Sequence, residues 1–203
     1  NCILILGAAG FIGTNLTLRL LREDAPLVLF DREGASYPEK VSRAAAEGRA
    51  RIVSGSFVAA GAADVKETEP AAASGCVQEA KPGSRHDGSI GRGGWEKALP
   101  MLDTVDTVYH LISTTCPTNS NRNVAEEMED NLIGTVRFLD ACVAAHVNKV
   151  VFLSSGGTVY GKLHTGICRE EEEAFPITSY GVQKLAIEKM LYLYHEMHGL
   201  DYR

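Results

Sequence analysis

Cys2-Ile3-Leu4-Ile5-Leu6-Gly7-Ala8-Ala9-Gly10-Phe11-Ile12-Gly13 lies at the start of the sequence and decides its architecture. The first five residues are apolar at every position and closed by glycine, the pattern of a strand buried on both faces in a parallel sheet. From Phe11 to Arg22, the apolar residues Phe11, Ile12, Leu16, Leu18, Leu20 and Leu21 read as the inward stripe of an amphipathic helix packed on that sheet. Strand, glycine turn and helix make half of a dinucleotide-binding unit.

The chemistry explains the glycines. A pyrophosphate sits against the unpaired N–H groups at a helix N-terminus, and a Cβ on the turn would hold it away. Gly7 permits the tight turn, Gly10 the close approach of backbone to phosphate, and Gly13 the close packing of helix on strand. The spacing is G-x-x-G-x-x-G rather than the commoner G-x-G-x-x-G, and by itself it also suits a tight turn without a ligand. The next apolar run, Leu27-Val28-Leu29-Phe30, ends in Asp31, which lies 18 residues beyond Gly13. That is close to the interval of about 20 at which an acid holds the adenosine ribose. A carboxylate there accepts from the ribose hydroxyls and repels a 2′-phosphate, favouring NAD. Arg32 beside it leaves room for NADP, and the bland reading of Asp31 is a turn cap.

Composition bounds the rest. With 203 residues and 45% hydrophobic content, the chain can bury one substantial core and is expected to be a single domain spanning residues 1–203. A formal net charge of −6, without a basic cluster, argues against a nucleic-acid partner. The five cysteines are odd in number, scattered and without a C-x-x-C pair, so neither a disulfide framework nor a metal site is expected, and reduced thiols suit a cytoplasmic protein. No apolar run approaches the length of a membrane span, so no membrane partner is expected. The chain starts inside its first strand without a methionine and stops at Leu200-Asp201-Tyr202-Arg203, the threshold of a sixth strand, so both ends read as trimmed.

Further along, Pro38 to Glu47 has helical composition and Arg49-Ala50-Arg51-Ile52-Val53 reads as a third strand. Residues 58–94 are dominated by alanine, glycine, serine and charge, and read as a disordered insertion or a gene-model error. Trp95 to Leu102 suggests a short helix. Val105 to Ile112 is a fourth strand, whose exit at Ser113-Thr114-Thr115 is a site candidate by position. Val124 to His146 reads as a long helix with Leu132, Val136, Leu139, Cys142 and Val143 inward; Asn131, a polar residue on it, alone reads as facing solvent. Lys149 to Leu153 is a fifth strand, followed by Ser154-Ser155-Gly156-Gly157-Thr158-Val159-Tyr160-Gly161. The acidic run Glu170 to Glu173 reads as solvated surface. A last helix is expected from Thr178 or Ser179 to His198, with Gly199 as its stop and Val182, Ala186, Met190, Leu193 and Met197 as its inward stripe. Tyr180 and Lys184, four apart, share one face of it.

These parts, in this order, resemble the extended short-chain dehydrogenase/reductase family, specifically its UDP-glucose 4-epimerase-like nucleotide-sugar epimerases and dehydratases. The resemblance rests on the Gly7-to-Gly13 turn, Asp31, His110-Leu111, Asn131-Leu132-Ile133-Gly134-Thr135, the Ser154-to-Gly161 segment and Tyr180-Gly181-Val182-Gln183-Lys184. It implies an α/β fold, a Rossmann-type doubly wound parallel sheet, with the C-terminal substrate lobe missing from this chain. It implies NAD as cofactor, held by Gly7, Gly10, Phe11, Ile12, Gly13, Asp31, Arg32, Ser56, Phe57, Leu111, Ile112, Ser113, Asn131, Tyr180 and Lys184, with no metal. Tyr180 would exchange the proton of the sugar hydroxyl, Lys184 would favour its phenolate and hold the nicotinamide ribose, and the reaction would pass through a 4-keto intermediate.

Two departures stand out. Where the family places serine or threonine four residues before the tyrosine of Val159-Tyr160-Gly161, this chain has Gly156, so Ser155 or Thr158 must supply the hydroxyl. Where the family often has an acid contacting adenine, this chain has Ser56 followed by Phe57. His110 reads as a packing residue rather than a catalyst. The implied substrate is a nucleotide-sugar, a UDP-sugar first, and homodimerisation through helices including that of Tyr180 is expected. The chain by itself is expected to be poorly active, with its fifth strand left as an unpaired apolar edge. An NADP-dependent carbonyl reductase and a non-catalytic dinucleotide-binding module remain as alternatives.

Overall fold

A run of isoleucine and leucine followed by a glycine turn produces the strand and helix expected of it. In the computed structural model, which describes residues 2–57, 102–162 and 166–203, β1 spans Cys2–Leu6 and α1 spans Phe11–Leu20. β2 (Leu27–Asp31), α2 (Glu39–Ala46) and β3 (Ala50–Ser54) complete the first half. The second half holds β4 (Val105–His110), α3 (Val124–Glu127), a π-helical turn (Met128–Ile133) and α4 (Gly134–Ala144). β5 (Lys149–Phe152), α5 (Gly156–Val159), α6 (Ser179–His198) and β6 (Asp201–Tyr202) follow. The expected insertion at 58–94 and all but the last residue of the helix expected at Trp95 to Leu102 lie outside the described residues.

The described strands form one parallel sheet in the order β3-β2-β1-β4-β5-β6. Alternate strand residues enter opposite cores, as the period of two requires. Leu4, Leu6, Val28, Phe30, Val108 and Val150 pack with Phe138, Leu139 and Cys142 of α4 and Ile187, Leu191 and Tyr194 of α6. Ile5, Leu27 and Leu29 pack on the other face with Leu20 of α1 and Val41 of α2. Phe30 and Phe138 are sealed from solvent, and each such side chain contributes about 2–3 kcal/mol by leaving water. Helices on both faces of a parallel sheet whose strand order reverses between β1 and β4 make this the doubly wound Rossmann-type arrangement.

Four expectations are corrected. Phe11 and Ile12 are 88% and 47% exposed, because the first turn of α1 projects past the sheet and the small Gly13 and Thr17 face the strand instead. The inward face of α6 carries Gly181, Gln183, Lys184, Ile187, Leu191 and Tyr194; Val182, Leu193 and Met197 point to solvent. That helix is apolar on two faces, and the polar Ser179, Gln183 and Lys184 occupy the buried one, so periodicity selects the wrong stripe. Asn131 is buried rather than solvent-facing. β5 is not an unpaired edge: the last three residues join it, with Asp201 N–H on Asn148 O, Arg203 N–H on Val150 O and Phe152 N–H on Arg203 O.

Helix α6 begins and ends where its capping residues dictate. Thr178 Oγ1 accepts from Gly181 N–H at 3.1 Å, and Gly199, at φ 72°, returns its N–H to His195 O. Gly181 also lets the helix approach α5, since a Cβ there would lie 2.7 Å from Thr158 O.

Candidate active site

Because the described strands are parallel, their carboxyl ends lie at one edge of the sheet, and the loops leaving them carry the site candidates. At the end of β1, Gly7 turns with φ 83°, and a Cβ on it would press on the backbone of Leu111 and Ile112 at 3.2–3.3 Å. The exit of β4 therefore passes directly beside the glycine turn. Gly13 is tighter still: a Cβ there would fall 2.1 Å from Gly7 O. No side chain caps the N-terminus of α1. A helix start whose first N–H groups lack helical partners, with no capping side chain and a glycine at its cap, is a cradle suited to a pyrophosphate.

Asp31 closes this side. Its Oδ2 accepts Ala9 N–H at 2.8 Å and its Oδ1 accepts Arg32 N–H at 2.8 Å. Asp31 thus fastens the end of β2 to the glycine turn, while Arg32 is exposed beside it. Asp31 O also accepts Gly55 N–H, which brings Ser56 alongside. The ring of Phe57, by contrast, is buried against His110 and Phe138, so only its backbone borders this edge.

Beyond β4, Leu111 N–H bonds to Leu6 O, Ile112 packs on the core, and Ser113 is exposed. Asn131 reaches this loop from the π-helical turn: its Oδ1 accepts Thr114 N–H at 2.8 Å, and its Nδ2 donates to Thr114 Oγ1 at 2.9 Å and to Glu127 O at 3.0 Å. A π-turn is a common device for aiming a side chain at a site. His110 lies beneath, 2% exposed, its Nε2 3.1 Å from Thr135 Oγ1 and its ring among Phe57, Phe138 and Phe152. Thr135 gives its proton to Asn131 O, so His110 Nε2 is the donor to Thr135 Oγ1. Burial pulls its pKa down to about 3, with the Lys184 charge adding to the effect.

At the end of β5 the side chains of α6 take over. Lys184, buried, donates from Nζ to Leu153 O at 2.9 Å, lies 4.6 Å from the centre of the Phe152 ring and 5.6 Å from that of Tyr180. Burial brings its pKa down to about 8, which still leaves the amine mostly protonated at neutral pH. Glu188, one turn on, accepts the Ser154 hydroxyl. The Thr158 hydroxyl donates to Ser155 O at 3.2 Å. Ser155 starts α5 without using its hydroxyl as a cap, and the space a Cβ at Gly156 would occupy is open to 4 Å.

A buried polar group next to Tyr180 is absent from the sequence reading. Glu127 accepts from the Ser179 hydroxyl and from Gln183 Nε2 at 3.4 Å. Ser179 and Asn121 bond reciprocally, Ser179 N–H to Asn121 Oδ1 at 2.6 Å and Asn121 N–H to Ser179 Oγ at 3.2 Å. Glu127, Asn131 and Thr135 recur every four residues and so share a face, but the acids around Glu127 mask that spacing in the sequence. Among the described residues, no group of three or more histidine, cysteine or acidic side chains is placed to hold a metal, and no helix is long and apolar enough to cross a membrane.

Comparison with known proteins places this arrangement. The sequence pattern described as "NAD dependent epimerase/dehydratase family" matches residues 3–203. The UDP-glucose 4-epimerase of Mycolicibacterium smegmatis is 27% identical over 198 residues, covering 98% of this chain and 52% of that protein. The dTDP-4-dehydro-6-deoxyglucose reductase of Escherichia coli is 28% identical over 208 residues, with 98% and 52% covered. The chain thus spans about half the length of these curated relatives. Among solved structures, that of Thermus thermophilus UDP-glucose 4-epimerase in complex with NAD superposes with a TM-score of 0.73 at 21% identity, covering 100% of this chain and 53% of the other. The doubly wound sheet that carries these features is therefore shared with that structure, and the chain belongs to the NAD dependent epimerase/dehydratase family.

Proposed function

We propose that this chain carries the cofactor-binding part and the acid/base pair of an NAD-dependent nucleotide-sugar epimerase or dehydratase, a UDP-sugar 4-epimerase first, working through a transient 4-keto sugar. The observation that carries the reading is the placement of Lys184: a buried amine held on Leu153 O at the sheet's carboxyl edge, beside the Tyr180 ring. A pure binding module has no use for it.

In this reading the uncapped start of α1 at Phe11, Ile12 and Gly13 holds the pyrophosphate, and Asp31 turns its carboxylate to the adenosine ribose. Arg32, Ser56 and the backbone of Phe57 border the adenine, while Leu111, Ile112, Ser113 and Asn131 line the far side. When bound, NAD supplies reversible hydride acceptance at the sugar carbon. Tyr180, as phenolate, takes the proton of the sugar hydroxyl and returns it at the end of the cycle. The Lys184 cation favours that phenolate, the opposite-charge effect that makes a phenol useful near neutral pH. Of the hydroxyls near Gly156, those of Ser154 and Thr158 donate to protein acceptors, which leaves Ser155 best placed to meet the substrate. The outward apolar face of α6, with Val182, Leu193 and Met197 at 39%, 43% and 63% exposure, suits a homodimer contact. We further propose a single domain and a cytoplasmic setting.

The test is a melting experiment with NAD and NADP, joined to an assay interconverting UDP-glucose and UDP-galactose. A ligand that binds only the folded chain raises its melting temperature. NAD stabilisation together with interconversion supports the reading. Stabilisation by NADP alone moves it to a carbonyl reductase, and a cooperatively melting chain stabilised by neither overturns it.

A further inference from the structure

The residues that immediately precede Tyr180 and Lys184 on α6 are Ser179 and Gln183, and both donate to the same carboxylate oxygen of Glu127. Ser179 and Gln183 are four apart, so they stack on one face of the helix, 6% and 2% exposed. Tyr180 and Lys184 are each turned by about 100° from that face, toward the exit of β5. A helix gripped along one face by one immobile group cannot roll about its axis. We propose that Glu127 is a positioning residue that fixes the rotational setting of α6 and so determines where the Tyr180 phenol and the Lys184 amine lie.

Glu127 is itself immobilised. It is 7% exposed, and Asn131 Nδ2 bonds its carbonyl while Asn131 Oδ1 holds Thr114 N–H. The loop leaving β4 is thus tied through Asn131 to the Glu127 carbonyl, and the Glu127 carboxylate in turn holds the start of α6. The Ser179 hydroxyl holds the Glu127 carboxyl below the usual carboxylate range, so it stays an acceptor. A carboxylate at the start of a 20-residue helix also meets the positive end of that helix's dipole. The inference rests on Tyr180 being the acid/base, and it adds what sets that residue in place.

The experiment reads Tyr180 directly. Tyrosine carrying ¹³C at Cζ is incorporated, the Tyr180 resonance is identified by its loss in Tyr180→Phe, and its titration is followed with no substrate present. Glu127→Ala is expected to change the Tyr180 dissociation constant by about threefold or more, through altered distance to Lys184. Glu127→Gln keeps an oxygen for Ser179 and is expected to restore the wild-type titration. An equal change in the Gln and Ala variants overturns the proposal, since the lost charge rather than the lost hydrogen bond would then be responsible. Should Glu127→Ala not fold, the double variant Ser179→Ala/Gln183→Ala removes the same grip, and an unchanged Tyr180 titration there overturns the proposal too. Because no turnover is read, a chain that responds as expected yet never interconverts UDP-glucose and UDP-galactose refutes the proposed reaction and leaves the role of Glu127 standing.

Discussion

The two sides of the sheet's carboxyl edge are built from different materials. Around Gly7, Gly10 and Gly13 the shape is made by closely approaching backbone, fastened by Asp31 on Ala9 N–H and by the hydroxyls of Thr14 and Thr17 on Ala8 O and Gly13 O. Around Tyr180 and Lys184 the shape is made by side chains: Glu127, Asn131, Ser179 and Glu188 hold loops and a helix together across long stretches of sequence. A backbone cradle tolerates almost no added atom, whereas a side-chain scaffold tolerates space and fails when a partner is removed. Substitutions should separate the two.

The largest effect is expected on the side-chain half. Tyr180→Phe should lower turnover of UDP-glucose by about 10²–10⁴-fold, the worth of general acid/base catalysis, while NAD-dependent thermal stabilisation is kept. On the backbone half, Gly13→Ala drives a Cβ to 2.1 Å from Gly7 O and should cost about 3 kcal/mol in denaturant unfolding. Gly156→Ala, in open space, should stay within about 0.5 kcal/mol of the parent, and equal costs at the two glycines would erase the contrast. His110 sits on β4, between the halves. Its folded pKa is about 3 against about 6.5 in the unfolded chain, so as pH falls below 6.5 the unfolded state takes up a proton that the folded state refuses. Stability is therefore lost from pH 6.5 downward toward 3. Between pH 6.5 and 5 the parent should lose about 2 kcal/mol more than His110→Gln, measured by denaturant melts at both pH values. Asp31→Ala is expected to weaken NAD about tenfold in a binding titration with little change for NADP, the worth of about one charge-assisted hydrogen bond.

The same division governs what the sequence discloses. The β1 turn, the acid ending β2 and the caps of α6 are local: each is decided by residues within a few positions or by one repeat of strand and helix, and Thr178 and Gly199 mark the bounds of α6 as they stand. Glu127 was illegible because it sits in the acidic run Glu126-Glu127-Met128-Glu129-Asp130, where one acid looks like its neighbours, and its partner Ser179 is 52 positions away. Asn131 alone looks like a surface residue until the loop it fastens, 17 positions back, is known. The inward face of α6 was misread because Gln183 and Lys184, polar by composition, occupy the buried side for the sake of their bonds. Polar networks obey distance in space, which periodicity does not encode.

The reversal of strand order at the centre of the sheet has a kinetic consequence. β1 and β4 are neighbours, with Ile3 paired to Thr107, so the seam joining the two halves brings together segments roughly 100 residues apart. Closing a loop of that length costs about 4 kcal/mol of chain entropy before any contact across it is rewarded. Each half, with its own strand-helix-strand contacts, is expected to gain structure ahead of that seam. The glycine turn of β1 and the exit loop of β4, which press on each other at Gly7 and Leu111, would then meet late, so that the cradle is completed only as the whole sheet locks.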